Sequence, residues 1–82
     1  MEKNMYDLDV ATEIIARMKA EVEHAYAEEQ DSRKKEELKL DLDVLWAEGK
    51  ALYSSNELIQ LSIIDKAFRL YAPILKAQYA AA

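Results

Sequence analysis

The fold of this chain is decided by residues 57–82, which read ELIQLSIIDKAFRLYAPILKAQYAAA. On a helical wheel of about 100° per residue, the polar side chains gather in an arc of roughly 100°. They are Ser62, Asp65, Lys66, Arg69 and Lys76. Apolar side chains, from Ile59 to Tyr79, fill about 220° of the remainder, whereas an amphipathic surface helix needs little more than about 100°. The segment is therefore predicted to be a helix that needs contacts on two sides.

The limits of this third helix are marked by polar residues before it and by a proline within it. Ser54-Ser55-Asn56-Glu57 matches a capping box, since Ser54 is followed three residues later by Glu57. Helix 3 is predicted over about residues 56–80. Pro73 lacks an N–H and would leave the carbonyl of Arg69 without a donor, so we expect it to kink helix 3 or end it near Ala72.

Two amphipathic segments precede helix 3. Apolar residues recur at a 3-4-3-4 spacing from Leu8 onward, which predicts helix 1 over about residues 8–29. Asp7 is its expected N-cap. Helix 2 is predicted over about residues 32–53 from a similar pattern.

Helix 2 carries two apolar seams, one through Leu42 and Leu45 and the other through Leu40 and Val44. Gly49 either stops this helix or marks a position where another helix approaches closely. The first role is the commoner one.

Residues 27–37 connect the first two helices and contain no large apolar residue. Asp31 and Ser32 indicate a turn, which would make helices 1 and 2 a hairpin. A single continuous helix is the alternative, because Glu29 and Arg33 have the favourable i to i+4 order and basic residues disfavour a helix N-terminus. We favour the hairpin, since one helix of about 45 residues would leave its apolar stripes uncovered.

The predicted fold is all-α and consists of one domain over residues 1–82. It is a three-helix bundle, made of an antiparallel helical hairpin plus the strongly apolar third helix kinked or broken at Pro73. In one arrangement helix 3 is the central helix of a monomer, with helices 1 and 2 both lying against it. In the other, helices 1 and 2 cover one side of helix 3, and a second copy of the chain or a different protein covers the other side. We favour association, because helices 1 and 2 also need each other and a short chain gains from extra buried area.

The expected partner-binding residues lie on the outer side of helix 3, with one aromatic residue from helix 2 that falls off both of its seams. They are Ile63, Ala67, Leu70, Ile74 and Trp46. Gln60 and Gln78 lie within the apolar arc of helix 3, where an amide costs stability unless it is paired. We hypothesise that one of them hydrogen-bonds across an interface and fixes its register.

No catalytic, cofactor or metal site is predicted. The chain has no cysteine, which excludes disulfides, thiolate catalysis and thiolate zinc sites. Glu21 and His24 have the Glu-x-x-His spacing of di-iron bundles, but a complete site needs a second such motif and two further Glu. His24 is the single histidine of the chain, so the chain has no second such motif. We therefore expect His24 to be solvated.

The formal net charge of −5 is unevenly distributed, because residues 1–30 hold 3 basic and 8 acidic groups. Duplex DNA would be repelled by this segment. The N-terminal residues do not resemble a signal peptide and no run is long enough to span a membrane, so a cytoplasmic protein is expected.

The predicted function is a non-catalytic protein–protein interaction module: an adaptor, an inhibitor or a small chaperone. Its partner is a second copy, forming a homodimer, or another protein, rather than nucleic acid or a membrane. The alternative is a transcriptional regulator with a helix-turn-helix around residues 49–56. The acidic charge and the apolar start of helix 3 disfavour that alternative.

Overall fold

The computed structural model describes residues 5–81, with side chains from residue 7 to residue 78. Its elements are α1 (Met5–Glu28), α2 (Ser32–Ala51), α3 (Glu57–Lys66), a π turn (Ala67–Tyr71) and α4 (Ala72–Ala81). Over residues 5–81 the chain is all-α, as predicted, and contains no strand. Among these residues, no helix has both the length and the apolar character needed to cross a membrane.

The first helix begins earlier than its pattern indicated. Because α1 starts at Met5, Asp7 lies in its first turn, and the prediction of Asp7 as N-cap is wrong. The carboxylate of Asp7 is nevertheless in a favourable place, near the positive end of the helix dipole.

A break at residues 29–31 separates α1 from α2, which excludes the continuous-helix alternative. Asp31 is the N-cap of α2, and its side chain accepts hydrogen bonds from the backbone N–H groups of Arg33 (2.9 Å) and Lys34 (3.2 Å). The capping carboxylate satisfies two free donors and places a negative charge beside the basic residues that follow. This explains how α2 begins next to a basic cluster.

The helices α1 and α2 run antiparallel. Lys35 Nζ lies 4.7 Å from the centre of the Tyr26 ring near the turn, and Lys19 Nζ lies 4.2 Å from the centre of the Trp46 ring further along. At Gly49 the helices are close enough for a Cβ to lie 4.0 Å from Ile15 Cγ2. Since α2 continues to Ala51, Gly49 does not stop the helix, and its close approach to α1 is the correct interpretation.

The third helical segment starts with a different cap from the one predicted. Asn56 is the N-cap of α3, and its side-chain oxygen accepts from the N–H groups of Leu58 (3.0 Å) and Ile59 (3.3 Å). The Ser54 hydroxyl accepts from the N–H of Asn56 at 3.0 Å, one step before the helix. The capping-box prediction is therefore wrong, because Asn56 stands one position before the helix and performs the same task.

Helical backbone extends on both sides of Pro73, which is the second residue of α4. The five residues Ala67–Tyr71 form the π turn, and the N–H of Ala72 bonds to the carbonyl of Ala67, five residues back. Pro73 has no N–H, so the hydrogen-bond ladder lacks a donor at this point. The widened turn lies directly before that gap.

The core is formed by side chains from every helical segment. The buried apolar residues among those described are Ala11, Ile15, Met18, Leu45, Leu52, Ile64, Ala67, Tyr71 and Leu75. Backbone contacts join α1 to α2, to α3, to the π turn and to α4, and α2 to α3. Within the described residues α4 makes no such contact with α2. The space between α2 and the last helical turns is therefore left open.

Candidate functional site

Large apolar side chains are exposed on several sides of the molecule. Nine of them are exposed among the described residues, namely Leu40, Val44, Trp46, Tyr53, Leu58, Ile59, Phe68, Leu70 and Ile74. Scattered apolar residues are normal on a soluble protein, whereas a contiguous patch marks an interaction site. The arrangement of these side chains therefore decides which of them matter.

Some of these residues lie together around an open groove of about 300 Å³. We call it the apolar groove. It is lined from α1 by Met18 and Val22, from α2 by Asp41, Val44 and Leu45, and from the third helical segment by Lys66, Leu70, Tyr71 and Ile74. The groove exists because α4 does not pack against α2.

The floor and the rims of the apolar groove differ in exposure. Leu45 and Tyr71 on the floor are buried, whereas the rim residues Val44, Leu70 and Ile74 are 48%, 47% and 37% exposed. The rims therefore present apolar side chains to solvent from both sides of an apolar floor. Another helix can bury them by entering from solvent.

The structure brings two of the predicted partner-binding residues to this groove and places two elsewhere. Leu70 and Ile74 are rim residues. Ile63 is half-buried and packs against the core. Ala67 has no exposed surface, so its placement on a partner-facing side was wrong. The wheel that grouped these four residues assumed an unbroken α-helix, and the π turn widens the helix after Ala67.

Trp46, the fifth predicted residue, is half-exposed but lies on another side of the molecule. Trp46 follows Val44 by two residues, which is a rotation of about 200° around the axis of α2, so the two side chains point to nearly opposite sides of the helix. Trp46 lines a separate open pocket of about 210 Å³ with Tyr53 and Gly49. The ammonium of Lys19 covers the Trp46 ring, a favourable cation–π arrangement. Trp46 and Leu70 therefore belong to different surfaces.

A polar network includes two lining residues of the apolar groove, Lys66 and Tyr71. Lys66 Nζ lies 2.6 Å from Glu48 Oε2, and the Tyr71 hydroxyl donates a hydrogen bond of 2.5 Å to Glu48 Oε1. The hydrogen bond to Glu48 raises the pKa of Lys66, and burial, followed by the bond to Glu48, raises the pKa of Tyr71. Both side chains are thus held in their protonated forms, in which neither is a nucleophile or a base. The network joins α2 to the π turn.

Gln60 is buried and has its amide partner within the chain. Its Nε2 donates a 2.9 Å hydrogen bond to the carbonyl of Leu52, just beyond the last residue of α2. Carbonyls at a helix C-terminus have no partner within the helix, so Gln60 satisfies one of them. Gln60 thus has a hydrogen-bond partner within the chain, and the hypothesis that one of the two glutamines pairs across an interface stays a prediction. Gln78 is exposed on α4.

The remaining candidate groups are solvated. His24 Nε2 lies 3.4 Å from Glu28 Oε1, and both side chains are largely exposed, as expected for His24. Within residues 5–81 no three His, Asp or Glu side chains are grouped as metal ligands would be. The first turn of α3, where a recognition helix would read bases, exposes Glu57, Leu58 and Ile59.

The sequence pattern missed Val44 as a rim residue. Its seam with Leu40 was visible in the sequence, but Val44 was not among the predicted partner-binding residues. In the structure Leu45 of the first seam is buried, and Leu40 and Val44 of the second are exposed. The sequence therefore did contain an indication of this surface, because helix 2 has a second apolar stripe for which no other helix of the chain was an obvious partner.

Comparison with protein-family models, with curated proteins and with solved structures finds no match to this chain.

Proposed function

We propose that this chain is a small non-catalytic protein–protein interaction module, an adaptor, inhibitor or small chaperone, which acts in the cytoplasm. Its helical segments form a three-helix bundle that is incomplete along one side. A helix of a second copy or of a different protein covers that side by entering the apolar groove. The observation that carries this proposal is the pair of exposed apolar rims, with Val44 on α2 facing Leu70 and Ile74 across the groove.

The size of the chain supports association. A domain of about 80 residues buries a smaller fraction of its surface than a larger domain and is correspondingly marginal in stability. Here Leu70 and Ile74 add little to the core, because they remain substantially exposed. A partner helix in the groove would bury them and add the apolar area that the chain lacks.

The position of the π turn gives a second line of support. Such turns are rare in α-helices and occur frequently at functional sites. This one contains Leu70 and Tyr71, a rim residue and a floor residue of the groove. It presents both side chains towards the same open space.

The test combines light scattering after size exclusion, over a dilution series, with binding of a dye that fluoresces on apolar surfaces. The variants are Leu70→Asp and, as a matched control, Leu58→Asp. Leu58 is 78% exposed and does not line the groove.

We expect the wild type to associate or to bind the dye, Leu70→Asp to lose that property, and Leu58→Asp to keep it. A monomeric wild type that binds no dye at high concentration would contradict the proposal.

A further inference from the structure

We propose that the occupant of the apolar groove is a basic amphipathic helix supplied by another protein. This inference rests on the proposed function and adds the chemistry of the partner. It follows from the apolar lining of the groove together with the charges around it.

The lining requires an apolar stripe on the partner. Val44 faces Leu70 and Ile74 over a floor that includes Leu45 and Tyr71. A helix whose apolar residues recur at i, i+3 or i+4, and i+7 presents such a stripe along one side. It could place successive side chains between the two rims, while its opposite face stays in solvent.

The charge that is left over in the groove is negative. Asp41 and Lys66 are the charged residues of the lining. Lys66 is already paired with Glu48 at 2.6 Å, whereas Asp41 forms no ion pair with any described residue. A cation on the partner would therefore find an unpaired carboxylate at the edge of the apolar surface.

The end of α1 beside the groove adds to this negative potential. After Lys19, α1 carries Glu21, Glu23 and Glu28 and no Lys or Arg. Its last turn contains no basic residue of its own, and Lys35 of α2, 4.7 Å from the Tyr26 ring, is one cation beside these carboxylates. Val22 of the lining is six residues from this end, or about 9 Å along the helix, which is close to the screening length of about 8 Å at physiological salt.

A second copy fits these charges less well than a cationic partner does. Each copy has a net charge of −5, so two copies repel each other overall. Like charges placed across an interface cost binding energy, whereas opposite charges favour encounter and fix orientation. The electrostatics therefore select a partner with Lys or Arg beside its apolar stripe.

The probe for this inference is a fluorescently labelled amphipathic peptide of Leu and Lys, with a matched peptide in which Glu replaces every Lys. Binding is followed by fluorescence anisotropy at low and at physiological salt. The groove variants are Leu70→Ser and Asp41→Asn. Their controls are Leu58→Ser and Asp43→Asn, since Leu58 and Asp43 are exposed and neither lines the groove.

We expect the Leu/Lys peptide to bind the wild type and the Leu/Glu peptide to bind far more weakly. Leu70→Ser should weaken binding about fivefold or more, as for a central interface residue. Asp41→Asn should weaken it at low salt and less at physiological salt, because salt screens the charge. Both control variants should bind as the wild type does.

Four results would overturn the inference. Equal binding of the two peptides would remove the charge requirement, and binding unaffected by Leu70→Ser would place the site outside the groove; the proposed function survives either result. If neither peptide binds and the wild type is a dimer that Leu70→Ser dissociates, the occupant is a second copy. A monomer that binds neither peptide nor the apolar dye would refute the proposed function as well.

Discussion

Replacement of Gln60 by Met tests the buried hydrogen bond that joins α2 to α3. Met is close to Gln in length and volume but has no donor for the Leu52 carbonyl, which accepts from Gln60 Nε2 at 2.9 Å. Gln60 is only 6% exposed, so water has little access to replace the lost donor. The substitution therefore removes a hydrogen bond while largely preserving the packing.

The expected loss follows from the cost of a buried acceptor without a partner. That cost is about 1–3 kcal/mol. The greater hydrophobicity of Met offsets part of it, which leaves a net destabilisation of about 1 kcal/mol or more. In a domain of this size each kcal/mol lowers Tm by about 4–8 °C. This is a sizeable share of a total stability of about 4–12 kcal/mol.

The assay is thermal and urea unfolding followed by circular dichroism, with Gln78→Met as the matched control. Gln78 is exposed on α4, so its replacement should change stability by less than about 0.5 kcal/mol. Because the bond lies within one chain, Gln60→Met should lower Tm without changing the oligomeric state. A Gln60→Met variant as stable as Gln78→Met would refute the assigned role of Gln60.

Three further substitutions test local features. Asn56→Ala should destabilise the chain by about 1 kcal/mol, because two N–H groups of α3 lose their acceptor. Gly49→Ala should stabilise it by about 0.5–1 kcal/mol, since the added Cβ would meet Lys19 Nζ at 3.6 Å, an ordinary contact. Tyr71→Phe should make the free energy of unfolding fall less steeply as the pH rises into the alkaline range. The pKa of Tyr71 is raised above its ordinary value of 10.0, so its contribution is complete below about pH 10 and is lost as the pH rises through the folded-state pKa.

Each of these expectations has a measurement that can contradict it. Ser54→Ala is the control for the cap, and if it destabilises the chain more than Asn56→Ala does in urea unfolding, the capping box is the correct description. A Gly49→Ala variant with a lower Tm would show that α1 and α2 cannot accept the extra methyl. The free energy of unfolding is measured from pH 8 to 12, a range that spans the ordinary titration of tyrosine at about pH 10. If wild type and Tyr71→Phe give identical profiles, Tyr71 does not have the role assigned to it.

Much of the secondary structure was predictable because it depends on local periodicity. The prediction for α2 began at Ser32, where the structure begins it, and the break before it was favoured correctly. The caps were less predictable. Ser54 and Asn56 both suit an N-cap, and the choice between them depends on where the chain turns into α3.

The candidate surface was predictable only in part. The width of the apolar face on residues 57–79 indicated that helix 3 needs contacts on two sides, and Leu70 and Ile74 were placed on its outer side. Ala67 was misplaced because the π turn changes the rotation of the helix. A wheel with a constant angle per residue cannot anticipate that change, although Pro73 marks where it occurs.

Local sequence patterns are sufficient to establish that this chain is helical, where its helices begin and end to within a few residues, and that one helix has more apolar surface than a single neighbour can cover. These properties follow from spacing and capping chemistry within a few turns. Which of the apolar residues face solvent depends on the packing of the helices against one another. Val44 and Leu70 line an open groove, and Ala67 is buried, because α4 approaches α1 and not α2. That choice depends on how all the helices pack together, which the periodicity of each helix alone does not contain.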